Sequence, residues 1–229
     1  SCVSATKATK SDAPSDIQKL CVVSVCCVLC LVICMPLYLS WKKENLRLAL
    51  IFKGLGTLCA FLPAFVAAVR LGGTAWLCAV SIFFCAVADI LLEYNLVFGG
   101  TFFGLAHIGF IFWSLSRAQV TLLHLICLLL LAGLMAFLIA RIRKQAGKQL
   151  PLIIGYAVCL CLMTACTLAG GFSLFSVAGW LMAAGGALFF VSDCLIGVRA
   201  FLVTRRSLDF VIMLFYYSSL LCAGISCLF

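Results

Sequence analysis

The sequence has little charge and almost no histidine. Only 10% of its 229 residues are charged and two are histidine, whereas 66% are hydrophobic. Soluble domains average about 25% charged and about 45–50% apolar residues, so the composition excludes an ordinary soluble domain and predicts an integral membrane protein. The apolar runs do not alternate with polar residues as barrel strands would, so each is predicted to be a helix.

Several patterns of catalysis and metal binding are missing as well. The sequence has no G-x-S-x-G element. Two histidines with no Cys/His cluster at one depth argue against a zinc site, and neither a metal nor an organic cofactor is expected. Most of the 16 cysteines lie in apolar runs, where they are expected to pack as small apolar residues. The net charge of +9 is distributed over short loops, which predicts contacts with anionic lipid and no nucleic-acid partner.

Eight apolar segments are long enough to cross a bilayer, which takes roughly 20 helical residues. They cover about 18–40, 48–69, 74–93, 96–115, 119–140, 150–171, 174–198 and 208–229. Residues 1–16 are polar and are expected to form a disordered tail, with no cleavable signal peptide. The sequence therefore predicts an all-α polytopic bundle, with residues 17–229 forming a single eight-helix transmembrane domain.

Basic residues indicate the orientation of this bundle. The loops on one side carry ten Lys and Arg residues and those on the other side carry five. This difference favours the richer side as cytoplasmic, with both termini outside. The expected location is the plasma or inner membrane in a bacterium and the endoplasmic reticulum in a eukaryote.

A short internal repeat links the two halves of the chain. The segments "FCAVADILL" (84–92) and "LFFVSDCLI" (188–196) place Asp89 and Asp193 104 positions apart, in the third and seventh spans. Duplication of a four-helix unit, giving a 4+4 arrangement, would explain the similarity. Chance similarity of two short segments is the alternative.

Most polar side chains within the spans are predicted to lie at one depth. Asp89 and Asp193 fall within two turns of the basic-side ends of their helices. His107 is expected near mid-membrane. Spans 2, 6 and 8 start from the basic side, and within about two turns of their starts they carry Lys53, Tyr156, and Tyr216 with Tyr217. Intramembrane polar residues usually face the bundle interior and mark a functional site, so we expect these side chains to converge.

Two glycines share helix faces with these polar residues. Gly104 lies on the face of His107, and Gly186 on the face of Asp193. Small residues either allow close helix packing or leave room for a ligand. Purely structural alternatives exist for the polar groups too: snorkelling for lysine, ion pairing for the carboxyls, interhelical hydrogen bonding for histidine and an aromatic belt for the tyrosines.

The chemistry of this set is acid–base chemistry. Of two carboxyl groups in a poorly solvated site, one can stay protonated as a general acid while the other is ionised. Such a pair suits hydrolysis of an acetal or vinyl ether through an oxocarbenium-like state. It suits a proton-coupled transporter equally well.

Five segments of the sequence resemble one known family. They are "KGLGT" (53–57), "ADILLEYNLVFGGTFFGLAHIGF" (88–110), "YAVCLCLM" (156–163), "GALFFVSDCLIGVRAF" (186–201) and "YYSS" (216–219). They are similar to the lysoplasmalogenase family, also called YhhN, whose eight-span members hydrolyse the vinyl-ether bond of lysoplasmalogens. The sequence departs from the family pattern at Gly54, Ala88 and Leu220, where Pro, Gly and Gln are expected.

The resemblance implies a hydrolase whose substrate is a lysophospholipid in the bilayer, either lysoplasmenyl-ethanolamine or lysoplasmenyl-choline. One of Asp89 and Asp193 would protonate the vinyl ether, the other would stabilise the cation, and His107 or the second Asp would orient water. The products would be a fatty aldehyde and the glycerophospho-headgroup. The residues expected to contact substrate are Lys53, Tyr156, Tyr216, Tyr217, Gly104 and Gly186. A proton-coupled transporter or flippase and a non-catalytic lipid-binding protein are the alternatives.

Overall fold

The computed structural model describes residues 16–203 and 206–229, and these form a helical bundle without strands. The predicted tail, except for Asp16, lies outside the described residues. The helices are α1 (Asp16–Cys27), α2 (Met35–Trp41), α3 (Leu46–Leu71), α4 (Ala75–Tyr94), α5 (Leu96–Leu115), α6 (Leu122–Ala146), α7 (Leu150–Leu174), α8 (Val177–Phe201) and α9 (Arg206–Ser226). The all-α polytopic prediction is confirmed.

Seven segments of the described chain are long and apolar enough to cross a membrane. The fifth, Leu122–Leu174, is 53 residues long and contains both α6 and α7. Gly147 has a φ of 51°, which ends α6 and begins a single 3₁₀ turn, and α6 and α7 then pack against each other. The fifth segment is thus a helical hairpin, and the bundle contains eight helical segments of spanning length, as predicted.

The first span is continuous but changes its helical type. The segment Val28–Cys34 between α1 and α2 is π-helical, and the amide of Met35 donates to the carbonyl of Cys30. Pro36 follows directly and cannot donate to the preceding turn, and its ring would crowd the carbonyl four residues earlier. A wider π-helical turn accommodates that ring without ending the span.

Asn95 alone joins α4 to α5. Its side-chain oxygen accepts hydrogen bonds from the amides of Val97 and Phe98 at 2.9 and 3.2 Å, which caps α5. The two helices therefore form a tight helical hairpin. This short link holds the two helices side by side, and Asp89 on α4 and His107 on α5 are both buried in the bundle.

The hairpin depends on a glycine at its contact point. A Cβ on Gly99 would lie 2.5 Å from the Cα of Leu92, whereas a Cβ on Gly100 would meet nothing within 4 Å. We expect Gly99→Ala to destabilise the protein by about 1–3 kcal/mol, because α4 and α5 must move apart. Gly100→Ala is the matched control and should be neutral or stabilising, by up to about 1 kcal/mol, since alanine favours helix. Unfolding midpoints in detergent measure both, and equal midpoints would contradict the expectation.

The helix contacts repeat between the two halves of the chain. The first span corresponds to α6, α3 to α7, α4 to α8 and α5 to α9. The pairs α3–α4 and α4–α5 of the first half reappear as α7–α8 and α8–α9. The contact that joins the halves also occurs twice, as α3–α9 and as α7–α5. This is the pattern that the 4+4 duplication predicts.

Candidate functional site

The polar side chains within the membrane form two clusters, one around each aspartate. In the first cluster, Asp89 on α4 is 2% exposed and accepts two hydrogen bonds on Oδ2. Thr57 on α3 donates at 2.6 Å and Tyr216 on α9 at 2.8 Å. The Nζ of Lys53, also on α3, lies 3.5 Å from Oδ1. The carboxyl group of Asp89 is therefore fully engaged by protein groups.

Lys53 is held at several points in this cluster. Its Nζ donates to the main-chain carbonyl of Asp89 at 3.2 Å and lies 3.5 Å from Oε1 of Glu93. The same Nζ lies 5.8 Å from the ring centroid of Tyr38, a cation–π contact. Tyr217 donates to the carbonyl of Lys53 at 3.1 Å. The Lys53 side chain is only 6% exposed, so its ammonium group has little contact with water. The contacts with protein groups take the place of that hydration.

The second cluster is a chain of three groups around Asp193 on α8. The hydroxyl of Tyr156 on α7 donates to Oδ2 of Asp193. The Nε2 atom of His107 on α5 lies 3.2 Å from that hydroxyl and 3.9 Å from Oδ2. When the tyrosine donates to the carboxyl, the His107 tautomer with its proton on Nε2 can donate to the tyrosine oxygen. The Nδ1 atom of the wholly buried His107 has no hydrogen-bond partner within the described part of the chain.

The two clusters correspond to each other under the repeat of helix contacts. Each contains an aspartate from α4 or α8, a group from α3 or α7, and a group from α9 or α5. Asp193, Tyr156 and His107 thus occupy the helices equivalent to those of Asp89, Lys53 and Tyr216. The short sequence repeat around the aspartates is therefore matched by similar surroundings, although the partner side chains differ.

Phe189 separates the clusters. Its ring packs edge-on against His107 with centroids 5.0 Å apart and against Tyr216 with centroids 5.7 Å apart. Phe103 extends this wall, with its centroid 6.1 Å from that of Tyr216. The two carboxyl groups share no hydrogen-bond partner within the described residues. The expected convergence of polar groups is present, but in two clusters.

A cavity of about 340 Å³ lies beside the second cluster, and no residue of the first cluster lines it. Asp193, Tyr156 and Gln149 are its polar lining residues. The remaining lining is apolar: Leu92, Leu96, Gly100, Met135, Leu138, Ile139, Ile142, Leu152, Ile153, Ala157, Leu160, Ile196, Gly197, Ala200 and Phe201. A concave apolar site with a few converging polar groups is typical of a ligand-binding site.

The difference between the two halves arises from the first span and its equivalent, α6. The first span packs against α3 and α9, and its Tyr38, 2% exposed, covers Lys53. The residue 104 positions after Tyr38 is Ile142 on α6, which lines the cavity. α6 packs against α7 and α8, and residues of all three helices line the cavity. Asp89 is therefore closed in, while Asp193 faces a cavity.

The two predicted glycines do not line the cavity. A Cβ on Gly186 would collide with Thr167 of α7, so Gly186 allows close packing of α7 and α8. A Cβ on Gly104 would meet nothing within 4 Å, and the position is only partly buried.

Four further predicted residues, Asp89, Lys53, Tyr216 and Tyr217, are buried at helix contacts away from the cavity. Among the predicted substrate contacts, only Tyr156 lines it.

Sequence reasoning missed three contributors to the site. Thr57 follows Lys53 by four positions, and this spacing places both side chains on one helix face, so the sequence contained a signal for it. Phe189 and Gln149 had no such signal, because an aromatic residue in an apolar run and a polar residue in a loop are both common. Among the described residues, no group of three His, Cys, Asp or Glu side chains is arranged to hold a metal ion.

Comparison with known families gives one match. A model of the YhhN family matches residues 48–224, which is more than three quarters of the chain and includes both clusters. No curated protein and no solved structure matches the sequence significantly.

Proposed function

The chain belongs to the YhhN family of membrane proteins, and from that premise we propose that it hydrolyses the vinyl-ether bond of lysoplasmalogens. The observation that carries the proposal is the cavity in which Asp193 and Tyr156 meet an apolar lining within the membrane. An amphiphile with one hydrocarbon chain fits such a lining, and a carboxyl group is the acid that vinyl-ether hydrolysis needs.

The reaction starts with proton transfer to carbon. Asp193, in its protonated form, donates its proton to the β-carbon of the vinyl ether, and the carbon–carbon double bond supplies the electron pair for the new C–H bond. The α-carbon becomes part of an oxocarbenium ion, which the newly formed Asp193 carboxylate stabilises. Tyr156 donates a hydrogen bond to this carboxylate and holds it in place.

Water then completes the hydrolysis. It adds to the α-carbon, and its proton returns to the carboxylate of Asp193, which restores the acid. The hydroxyl of the hemiacetal then loses its proton, the bond to the glycerol oxygen breaks, and that oxygen takes up a proton, which gives a fatty aldehyde and the glycerophospho-headgroup with a free glycerol hydroxyl. His107 supports Tyr156 from the side away from the cavity, so it is a positioning residue.

This proposal gives the two carboxyl groups unequal roles. Asp89 is paired with Lys53, is hydrogen-bonded by two hydroxyls and does not line the cavity. Its ion pair with Lys53 and its hydrogen bonds to Thr57 and Tyr216 hold α3, α4 and α9 together. The headgroup would lie toward Gln149 and the exposed basic residues that precede it, Arg143, Lys144 and Lys148.

Aldehyde release by the purified protein in detergent tests the proposed reaction. We expect aldehyde from lysoplasmenyl-ethanolamine and none from the saturated alkyl-ether analogue, which has no double bond to protonate. Aldehyde from neither substrate, with a folded protein, would refute the hydrolase.

Proton-coupled transport is the second candidate, because two corresponding carboxyl clusters in a duplicated bundle are also typical of transporters. A transporter releases no aldehyde in detergent. Reconstituted in vesicles, it moves the lysolipid between leaflets, and a proton gradient accelerates this movement. The two assays together therefore distinguish the candidates.

A further inference from the structure

A second apolar cavity lies along α6 and α7, next to the one that contains Asp193. Its volume is about 360 Å³, and its lining is drawn from residues 128–139 and 154–162. The two cavities share Met135, Ile139 and Ala157 in their walls. They are therefore adjacent parts of one groove, which we call the α6–α7 groove.

The groove runs from the basic side toward the middle of the bundle. On α6 its lining extends from Ile142, beside the cluster of Asp193, to Leu128. These residues are about four turns apart, which corresponds to about 21 Å along the helix axis. One leaflet of hydrocarbon is about 15 Å thick, so the groove is long enough for one extended lipid chain.

The residues that line the far part of the groove carry no charge and no hydroxyl, amide or ring N–H group in their side chains. This part is lined by aliphatic residues, Met135 and Cys161. Leu129 is 64% exposed at its edge, so the groove is open to the side as well as to Asp193. A chain whose polar end stays at Gln149 and Asp193 can enter from the lipid without passing a polar barrier.

We propose that the α6–α7 groove binds the single hydrocarbon chain of the substrate and that Ala132 sets the chain length that is accepted. This inference rests on the proposed function, because it assumes a lysolipid whose reacting bond lies at Asp193. Ala132 lines the far part of the groove, nearly three turns from Ile142, and its small side chain leaves the path open. Leu128 lines the groove about one turn farther on.

The test compares binding of saturated lysophosphatidylethanolamines with a short and with a long chain. These ligands have no vinyl ether, so their affinity in detergent does not depend on turnover. The variants are Ala132→Trp and Leu128→Trp. The matched control is Ala140→Trp, an exposed position of α6 that lines neither cavity.

We expect Ala132→Trp to reduce the preference for the long chain by at least about tenfold, since it removes contact with two or more methylene groups. Leu128→Trp should have a smaller effect, and Ala140→Trp should retain the wild-type preference. The proposal that the groove binds the chain would be overturned if Ala132→Trp kept the wild-type preference for the long chain, or if the wild type bound no lysolipid. Thermal unfolding of each variant identifies any that fail to fold, and Leu128→Trp then serves in place of Ala132→Trp.

The two proposals fail in distinguishable ways. Suppose the wild type binds lysolipids with a chain preference that Ala132→Trp removes, but releases no aldehyde. Chain binding in the groove is then supported, and the proposed hydrolase activity is refuted. If aldehyde is released and Ala132→Trp has the wild-type chain preference, the hydrolase activity is supported and chain binding in the groove is refuted.

Discussion

Replacing Asp193 with asparagine is expected to reduce turnover of lysoplasmenyl-ethanolamine by about 10²–10⁴-fold, the usual contribution of a general acid. The amide keeps the shape of the carboxyl group, and its oxygen can still accept the hydrogen bond from Tyr156. It cannot donate a proton to carbon and return to a carboxylate. Aldehyde release under single-turnover conditions measures the loss, with the folded state checked by thermal unfolding.

The matched control for this variant is Asp89→Asn. Its amide oxygen can still accept from Thr57 and Tyr216, but the ion pair with Lys53 is lost. Because Asp89 does not line the cavity, its replacement should reduce turnover by much less than the replacement of Asp193. Equal losses in the two variants would contradict the unequal roles, and a larger loss in Asp89→Asn would reverse them.

Replacing Lys53 with methionine is expected to destabilise the protein by about 3–5 kcal/mol, because it leaves the carboxyl groups of Asp89 and Glu93 without their cation. Methionine fills a similar volume, so packing is largely kept. Equilibrium unfolding in detergent measures the loss. The double variant Lys53→Met with Asp89→Asn should regain part of it, since the uncompensated charge is then removed, and the double-mutant cycle gives the coupling energy.

Lys42→Met is the matched control for Lys53. Lys42 also pairs with a carboxylate, at 3.6 Å from Asp209, but its side chain is 23% exposed, and Arg199 remains on Asp209 at 2.5 Å. Its loss should therefore cost no more than about 1 kcal/mol. A Lys53 variant as mild as the Lys42 variant would show that the buried pair contributes little to stability.

The sequence predicted the helices well because hydropathy and length determine membrane spans. Seven of the eight predicted spans lie within three residues of the observed helices at both ends. The exception is α6, which continues to Ala146 instead of residue 140. The last turns of α6 contain Arg141, Arg143 and Lys144 and lie beyond the apolar run. A prediction from hydrophobicity ends with that run, so it misses these helical turns.

The site was predictable only in part. Up-and-down topology gives the depth of a residue, and from depth alone the polar side chains of the spans were predicted to converge. It does not say which helices are neighbours, so the division of the polar residues into two clusters on either side of Phe189 could not be read from the sequence. The cavity depends on α6 packing against α7 and α8, a property of helix arrangement with no local signal.

The similar surroundings of the two aspartates show how duplicated halves can come to differ. Tyr38 packs over Lys53 in the first half, whereas Asp193 in the second half faces the cavity. In this account the first half stabilises the bundle with a buried ion pair. The second half keeps its carboxyl group available to a ligand.

The most direct measurement of the central claim is the isotopic composition of the aldehyde formed in D₂O. The purified protein is incubated with lysoplasmenyl-ethanolamine, the aldehyde is trapped at once as a hydrazone, and its mass is determined. Protonation of the vinyl-ether carbon by Asp193, which exchanges with solvent, predicts an aldehyde of full chain length with one deuterium on the carbon next to the carbonyl. An unlabelled aldehyde, a shortened aldehyde or none at all would contradict the account.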